Sequence, residues 1–373
     1  MTTKLPSYLS LLLLLPACGG SDGNSIYSSS NDSGLTLTLG NDSTSDQSDS
    51  NNDGDGDPSG DGDGDPTSGE SGPKLDILGD DEGMNSAGDA GDGNGCKKVD
   101  FLFVIDNSGS MLDEQSNLAA SFPAFINSIS TTLSDAQDYH IMVIDTDEWV
   151  WAGCQTLCLF PSLPGICVGY ECGVTQPEQC EDILGAGVTH PKGANASNTD
   201  CNFVTGKRFM NSEEPNLPAA FQCAARVGTD STNDPERPME AMVAAVSGVG
   251  EVGACNEGFL RDDAILVVTF ITDENDDPGD GSSGTVETWR QGLIDAKNGD
   301  DQAIVVLGLF GDDDLPNGIC NGGAEASPRL RQFLDSWGDH GFFGSICAPD
   351  YDDFFQAAVD IIDTTCDEFE PPK

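Results

Sequence analysis

The stretch Asp106-Asn107-Ser108-Gly109-Ser110 carries one carboxylate and two hydroxyls at alternate positions. In a tight turn, alternate side chains can converge on one point. A carboxylate with two hydroxyls then offers hard oxygen donors, which suit Mg²⁺, Mn²⁺ or Ca²⁺, whereas zinc and copper prefer nitrogen or sulfur. A second acidic stretch, Thr272-Asp273-Glu274-Asn275-Asp276-Asp277, lies far along the chain and could supply a further carboxylate. Asp and Ser also serve loops by bonding their own backbone, which is the plainer reading of the first stretch. Against it, Asp106 and Asp273 held together with no counter-ion would repel one another.

The elements that must position these groups are legible in the apolar pattern. Val99 to Ile105 is a short run rich in β-formers that ends at Asp106, as a buried parallel strand would. Leu118, Phe122, Phe125, Ile126, Ile129 and Leu133 follow at helical spacing on one face. Further strands are expected at 140–144, 265–271 and 303–310, with a weaker one at 342–346. Helices are expected between them at 238–247, 286–296 and 328–337, and a last one at 354–362, where Phe354, Phe355, Ile361 and Ile362 read as core contacts. Strand alternating with helix predicts an α/β fold: a doubly wound, mostly parallel sheet with helices on both faces. Asp106 and Asp273 each directly follow a strand, which puts both at the carboxyl edge of the sheet, where open α/β sheets bind ligands.

Residues 99 to 111, Val-Asp-Phe-Leu-Phe-Val-Ile-Asp-Asn-Ser-Gly-Ser-Met, resemble the opening of a von Willebrand factor A domain. The resemblance runs from Val99 to Ile362, apart from a Cys-rich stretch at about 149–223 that the family does not have. It implies that Asp106, Ser108 and Ser110 belong to a metal-ion-dependent adhesion site and that Asp273 completes the metal shell. Glu274 and Asp276 would be outer groups. The family's third element is a Thr just before a helix. Aligning the helix start Met239-Glu240-Ala241-Met242 puts Pro238 there instead. Glu236 is the preferred substitute, with Thr229 and Thr232 in reserve. A carboxylate in that place would neutralise the cation more fully and weaken its pull on the partner Glu or Asp that the family commonly uses. The implied function is cation-dependent binding of a protein or other macromolecule, not catalysis. A disulfide-rigid envelope component with a stabilising metal is the alternative reading, and a metal-dependent hydrolase a further one, for which no general base stands out.

Charge narrows the partners. A formal net charge of −50 excludes nucleic acid, whose phosphates would be repelled, and disfavours an anionic membrane surface. Residues 19 to 95 hold 18 acidic residues against Lys74 and little that could form a core, so residues 18–95 are expected to be a disordered, self-repelling tether. Its repeat, Asp53-Gly54-Asp55-Gly56-Asp57-Pro58 and then Asp61 to Pro66, lacks the helices of a calcium hand and reads as spacer. Residues 1–17 look like a signal peptide, with Lys4 before an apolar run too short to span a bilayer. Leu15-Pro16-Ala17-Cys18-Gly19 resembles the bacterial lipobox. It implies a lipid on Cys18 and, with Gly after the Cys, the outer membrane or cell surface.

The other 12 cysteines are Cys96, Cys154, Cys158, Cys167, Cys172, Cys180, Cys201, Cys223, Cys255, Cys320, Cys347 and Cys366. An even set in an exported protein predicts six disulfides of open connectivity within a folded part spanning 96–373. A zinc site at Cys154, Cys158, Cys167 and Cys172 is the rival, though no C-x2-C pair supports it. Two other motifs are set aside. Gly248-x-Gly250-x-x-Gly253 follows a helix rather than a strand, so it reads as a helix-ending loop and implies no dinucleotide. Gly19-x-Ser21-x-Gly23 falls in the tether. His140, His190 and His340 are scattered, and no nucleophile can be paired with them.

Overall fold

A computed structural model describes residues 96–132, 138–147, 179–229, 236–279 and 281–372. The chain divides into two units, Met1–Glu82 and Gly83–Lys373, and every described residue belongs to the second. The tether, Cys18, Thr232, Cys154, Cys158, Cys167 and Cys172 lie outside the described residues.

Six strands form one sheet: β1 (Lys98–Ile105), β2 (Asp138–Asp145), β3 (Met210–Asn211), β4 (Ile265–Ile271), β5 (Ile304–Phe310) and β6 (Gly341–Ser345). Their order is β3-β2-β1-β4-β5-β6, with every pairing parallel except the short antiparallel β3. Among the described residues, seven α-helices accompany them: α1 (Leu112–Thr132), α2 (Leu217–Ala225), α3 (Pro238–Val246), α4 (Gly250–Cys255), α5 (Val286–Ala296), α6 (Pro328–Asp335) and α7 (Asp352–Glu368). The arrangement is a mixed α/β, Rossmann-like one.

The unbroken apolar runs of the central strands follow from burial on both faces. Phe101, Phe103 and Ile105 of β1 pack with Leu118, Phe122 and Phe125 of α1, Phe221 of α2 and Phe355 of α7. Leu102 and Val104 point the other way, into Met239 and Met242 of α3, Trp289 and Leu293 of α5, and Phe333 of α6. Phe354, Phe355 and Ile362 are buried, so the last helix meets the core through these residues, as its pattern predicts.

Several boundaries and elements differ from the sequence reading. Strand β6 begins and ends one residue earlier than expected, and the last helix extends to Glu368. The Cys-rich stretch is not irregular throughout. Its later part supplies β3 and α2, and Phe221 stacks on Phe122 with ring centroids 3.5 Å apart. The strand has only two residues, and the helix sits in a stretch whose Cys and Pro obscure its period, so tertiary packing decides both. Of the dinucleotide-like glycines, Gly248 follows the end of helix α3 as expected, whereas Gly250 and Gly253 lie in helix α4. At Gly253 a side chain would stand 2.4 Å from the Gly248 carbonyl carbon, which accounts for that glycine by close backbone approach.

Four disulfides join the eight described cysteines: Cys96–Cys366, Cys180–Cys255, Cys201–Cys223 and Cys320–Cys347. The first closes a separation of 270 residues and ties the start of β1 to the end of α7. Near it, at the amino edge of the sheet, Arg261 bonds both Asp100 and Asp138, and Lys297 donates to the Arg261 and Ala264 carbonyls. His140 is also structural. Its Nδ1–H donates to the Phe259 carbonyl at 2.8 Å, and burial lowers its pKa.

Candidate metal centre

The strand order reverses at β1, which lies between β2 and β4, and the crevice at such a switch point is where doubly wound sheets take ligands. Ile105 pairs in register with Ile271, so the chain leaves both strands side by side. The Asp106 amide still bonds the Ile271 carbonyl at 3.0 Å, and from there the two acidic loops face one another.

Asp106 is fully buried. Its Oδ1 accepts the Ser108 amide at 2.7 Å and its Oδ2 the Thr272 hydroxyl at 2.5 Å. The Ser108 hydroxyl stands 3.3 Å from that of Ser110 and donates to Asp273 Oδ1 at 3.4 Å. Ser110 also bonds Asp273. Asp106, Ser108, Ser110 and Asp273 are therefore brought together, Asp106 through the Ser108 amide and Asp273 through the two hydroxyls. Burial pushes the Asp106 carboxyl up to about 7, against the pull of its bonds from Thr272 and Ser108 and with the help of Asp273 and Glu274. Asp273 is raised by burial too, although bonds from Ser110 and Ser108 oppose the rise.

Glu236 lies on the other flank, beyond the end of β2. It is buried, and the Thr146 hydroxyl donates to its Oε2. Thr146 also donates to Asn107 Oδ1 at 3.2 Å, while Asn107 Nδ2 donates to Asp147 at 3.0 Å, so this flank is wired to the Asp106 loop. Burial drives the Glu236 carboxyl up to about 10, helped by the charges of Asp106 and Asp147. Thr229 is placed differently: its backbone carbonyl lies beside Gly109, and its hydroxyl accepts from Asn195 at 2.6 Å. Asp276 turns away from the site to accept the Met239 amide at 3.3 Å and the Ser282 amide.

Four supporting residues were not foreseen from sequence. Thr272 braces Asp106, and Gln115 spans the Asp106 carbonyl at 3.0 Å and the Gly228 carbonyl at 2.7 Å. Thr146 holds Glu236. Glu114, at the start of α1, is raised by burial and by Asp273, and its Oε2 is buried with no hydrogen-bond partner among the described residues. A buried Gln in an otherwise apolar helix face was the available signal for Gln115.

Among the described residues, no three His, Cys, Asp or Glu side chains form a ready-made metal-ligating group. The nucleus is instead the Asp106 and Asp273 carboxylates with the Ser108 and Ser110 hydroxyls bonded to Asp273, a donor set of hard oxygens that fits a divalent cation completed by water. Neither Asp106 nor Asp273 forms an ion pair with Lys or Arg among the described residues. A dication would supply the missing charge.

Sheet order and site thus define a Rossmann-like α/β protein with a buried group of carboxylates and hydroxyls at its switch point. No family model matches the chain, and no curated protein matches it. Among solved structures it is similar to the pilus adhesin SpaC from Lactobacillus rhamnosus GG in an open conformation. The identity is 14% and the TM-score 0.33, over 72% of this chain and 31% of the adhesin. The chain therefore spans about a third of that protein's length. Among the described residues, no helix is long and apolar enough to cross a membrane.

Proposed function

We propose that this protein is a binding module of the von Willebrand factor A type, which holds a divalent cation at Asp106, Ser108, Ser110 and Asp273 and through it engages another macromolecule. One observation carries the reading. Two buried carboxylates from different loops meet at the switch point, both bonded to Ser108, Asp106 by its amide and Asp273 by its hydroxyl, with no basic side chain paired to either among the described residues. Such an arrangement costs folding free energy unless a cation occupies it. Glu236 borders the site from the β2 side, its carboxyl held protonated by burial and the neighbouring carboxylates, and Gln115 and Thr272 fix the loop that carries Asp106.

Calorimetric titration of the full chain with Ca²⁺, Mg²⁺ and Mn²⁺ tests this directly. One equivalent should bind, and EDTA should reverse the heat. Absence of binding by all three ions would sink the proposal. The envelope location rests on residues 1–18. Labelled fatty acid should enter the native chain expressed in a bacterium and be absent from Cys18→Ser, and equal labelling of the two would refute the anchor.

A further inference from the structure

The Asp106 side of the candidate cation site is held from outside the sheet. Gln115 is 3% exposed, and its side-chain nitrogen donates both to the Asp106 carbonyl at 3.0 Å and to the Gly228 carbonyl at 2.7 Å. Its oxygen takes the Gly228 amide at 3.4 Å. Gly109, inside the 106–110 turn, lies beside the Thr229 carbonyl. The place of the turn that carries Asp106 is therefore set by residues 226–229, a stretch after α2 that lies outside the helices and strands.

A second irregular segment holds 226–229 in turn. The Ser197 amide donates to the Arg226 carbonyl at 3.1 Å, the Thr229 amide to the Ala194 carbonyl at 2.9 Å, and Asn195 Nδ2 to the Thr229 hydroxyl at 2.6 Å. Gly228 is wedged against this segment. Its φ is +111°, and a side chain there would stand 3.3 Å from both the Ala194 carbonyl oxygen and the Ala196 side chain. Asn198 ties the segment to itself by donating to the Gly193 carbonyl at 2.9 Å and the Ala196 carbonyl at 3.1 Å. The Cys201–Cys223 disulfide then joins it to α2, which Phe221 fixes in the core against Phe103 and Phe122. By loop length this disulfide, with a separation of 22, constrains the unfolded chain less than Cys96–Cys366 with 270, so its largest effect is local.

We infer that the Cys201–Cys223 disulfide is a positioning element of the cation site, keeping Gln115 and the Asp106 turn in their cation-binding arrangement through residues 194–197 and 226–229. The inference rests on the cation reading of Asp106 and Asp273 and goes beyond it in naming what sets the affinity of that site. Without the disulfide the four proposed ligands and the core remain, but the segment behind Gly228 is freed. Binding must then also order the Asp106 turn, which costs conformational entropy.

Calorimetric Ca²⁺ titration of the full chain, with chemical denaturation of the same samples in EDTA, tests this. Loss of an outer support of a metal ligand costs about 10- to 100-fold in affinity, and the disulfide acts one step further out. Cys201→Ser with Cys223→Ser should therefore bind Ca²⁺ about 3- to 10-fold more weakly than the native chain while still unfolding cooperatively. Gly228→Ala leaves the disulfide intact, crowds Ala194, and should weaken binding to a similar extent. Cys96→Ser with Cys366→Ser, at the amino edge of the sheet, should lose more stability than the first pair and keep the native affinity. Val359→Ala, a core truncation in α7, supplies the same comparison should that pair fail to fold. Native affinity in the Cys201 and Cys223 double variant would overturn the inference. So would an equal loss of affinity in the destabilised controls, which would make affinity a reflection of global stability. With no Ca²⁺ binding by the native chain the underlying cation reading falls too, whereas native binding that the double variant retains in full sinks the positioning role alone.

Discussion

Replacing Asp106 with Asn should abolish measurable cation binding while making the cation-free protein more stable. The first effect follows from removing one of two carboxylates that face each other across the switch point. Losing one partner of a buried charge interaction costs about 3–5 kcal/mol, which is roughly 100- to 5000-fold in affinity. The second effect has the opposite sign because in EDTA there is no cation to offset the cost of burying this carboxylate. Asp106 is fully buried, and Asp273 and Glu274 add repulsion. An amide keeps one oxygen to accept the Ser108 amide, although the Thr272 hydroxyl must then find its bond elsewhere, for example at the Glu274 carbonyl 3.4 Å away. Calorimetric titration and a thermal melt of the same two samples read both effects. A variant that loses stability in EDTA as well as binding would show Asp106 to be a structural turn residue, and the cation reading would lose its central support.

This trade-off also shows why the heart of the site could be read before the fold was seen. Asp106 and Asp273 each sit directly after a long apolar run, and a strand that ends in a carboxylate at the carboxyl edge has no local reason to do so. Parallel pairing of β1 with β4 then brings the two loops together, as the in-register pairing of Ile105 with Ile271 shows. The third flank was harder to read because it depends on neighbours distant in sequence. Glu236 is held by Thr146, 90 residues away, and nothing within 229–238 distinguishes it from Thr229 or Thr232. The structure puts Glu236 beside Thr146 and turns the Thr229 hydroxyl toward Asn195. Thr232 lies outside the described residues. The edge strand Met210–Asn211 and helix Leu217–Ala225 were illegible for a different reason. They lie in a Cys-rich stretch that masks any period; the helix gains its order from packing Phe221 against Phe103 and Phe122, and the strand from pairing with β2.

In EDTA, stability should fall as pH rises from about 4 to about 8, and saturating Ca²⁺ should flatten that slope. The sign follows from which state holds more protons. Asp106 ordinarily loses its proton near 3.8, and burial raises it to about 7 in the folded chain. Between those values the folded state binds more protons than the unfolded state. Its contribution is therefore fully present below pH 3.8 and lost as pH climbs through 7. Asp100, raised to about 6 by burial despite Arg261, acts in the same direction, and so does Glu236 over a window reaching to about 10. Asp273 and Asp276, also raised by burial, add to this trend. His140 opposes it, since burial lowers its pKa and its contribution is lost as pH falls. So do carboxylates lowered by Lys or Arg partners, such as Asp263 and Asp314, whose contribution is already full above the ordinary carboxylate range. For Asp106 alone, the gap between 3.8 and about 7 corresponds to about 4 kcal/mol. A bound dication reverses the argument at the site, because it favours the ionised carboxylates and stabilises the folded state by about 2.7 kcal/mol at a hundred times its dissociation constant. Chemical denaturation at a series of pH values, with EDTA and with Ca²⁺, measures both slopes. Asp106→Asn should flatten the EDTA profile without added metal. A native profile in EDTA that rises between pH 5 and 8 would mean that these carboxylates are ionised and satisfied within the fold itself, leaving a cation nothing to neutralise.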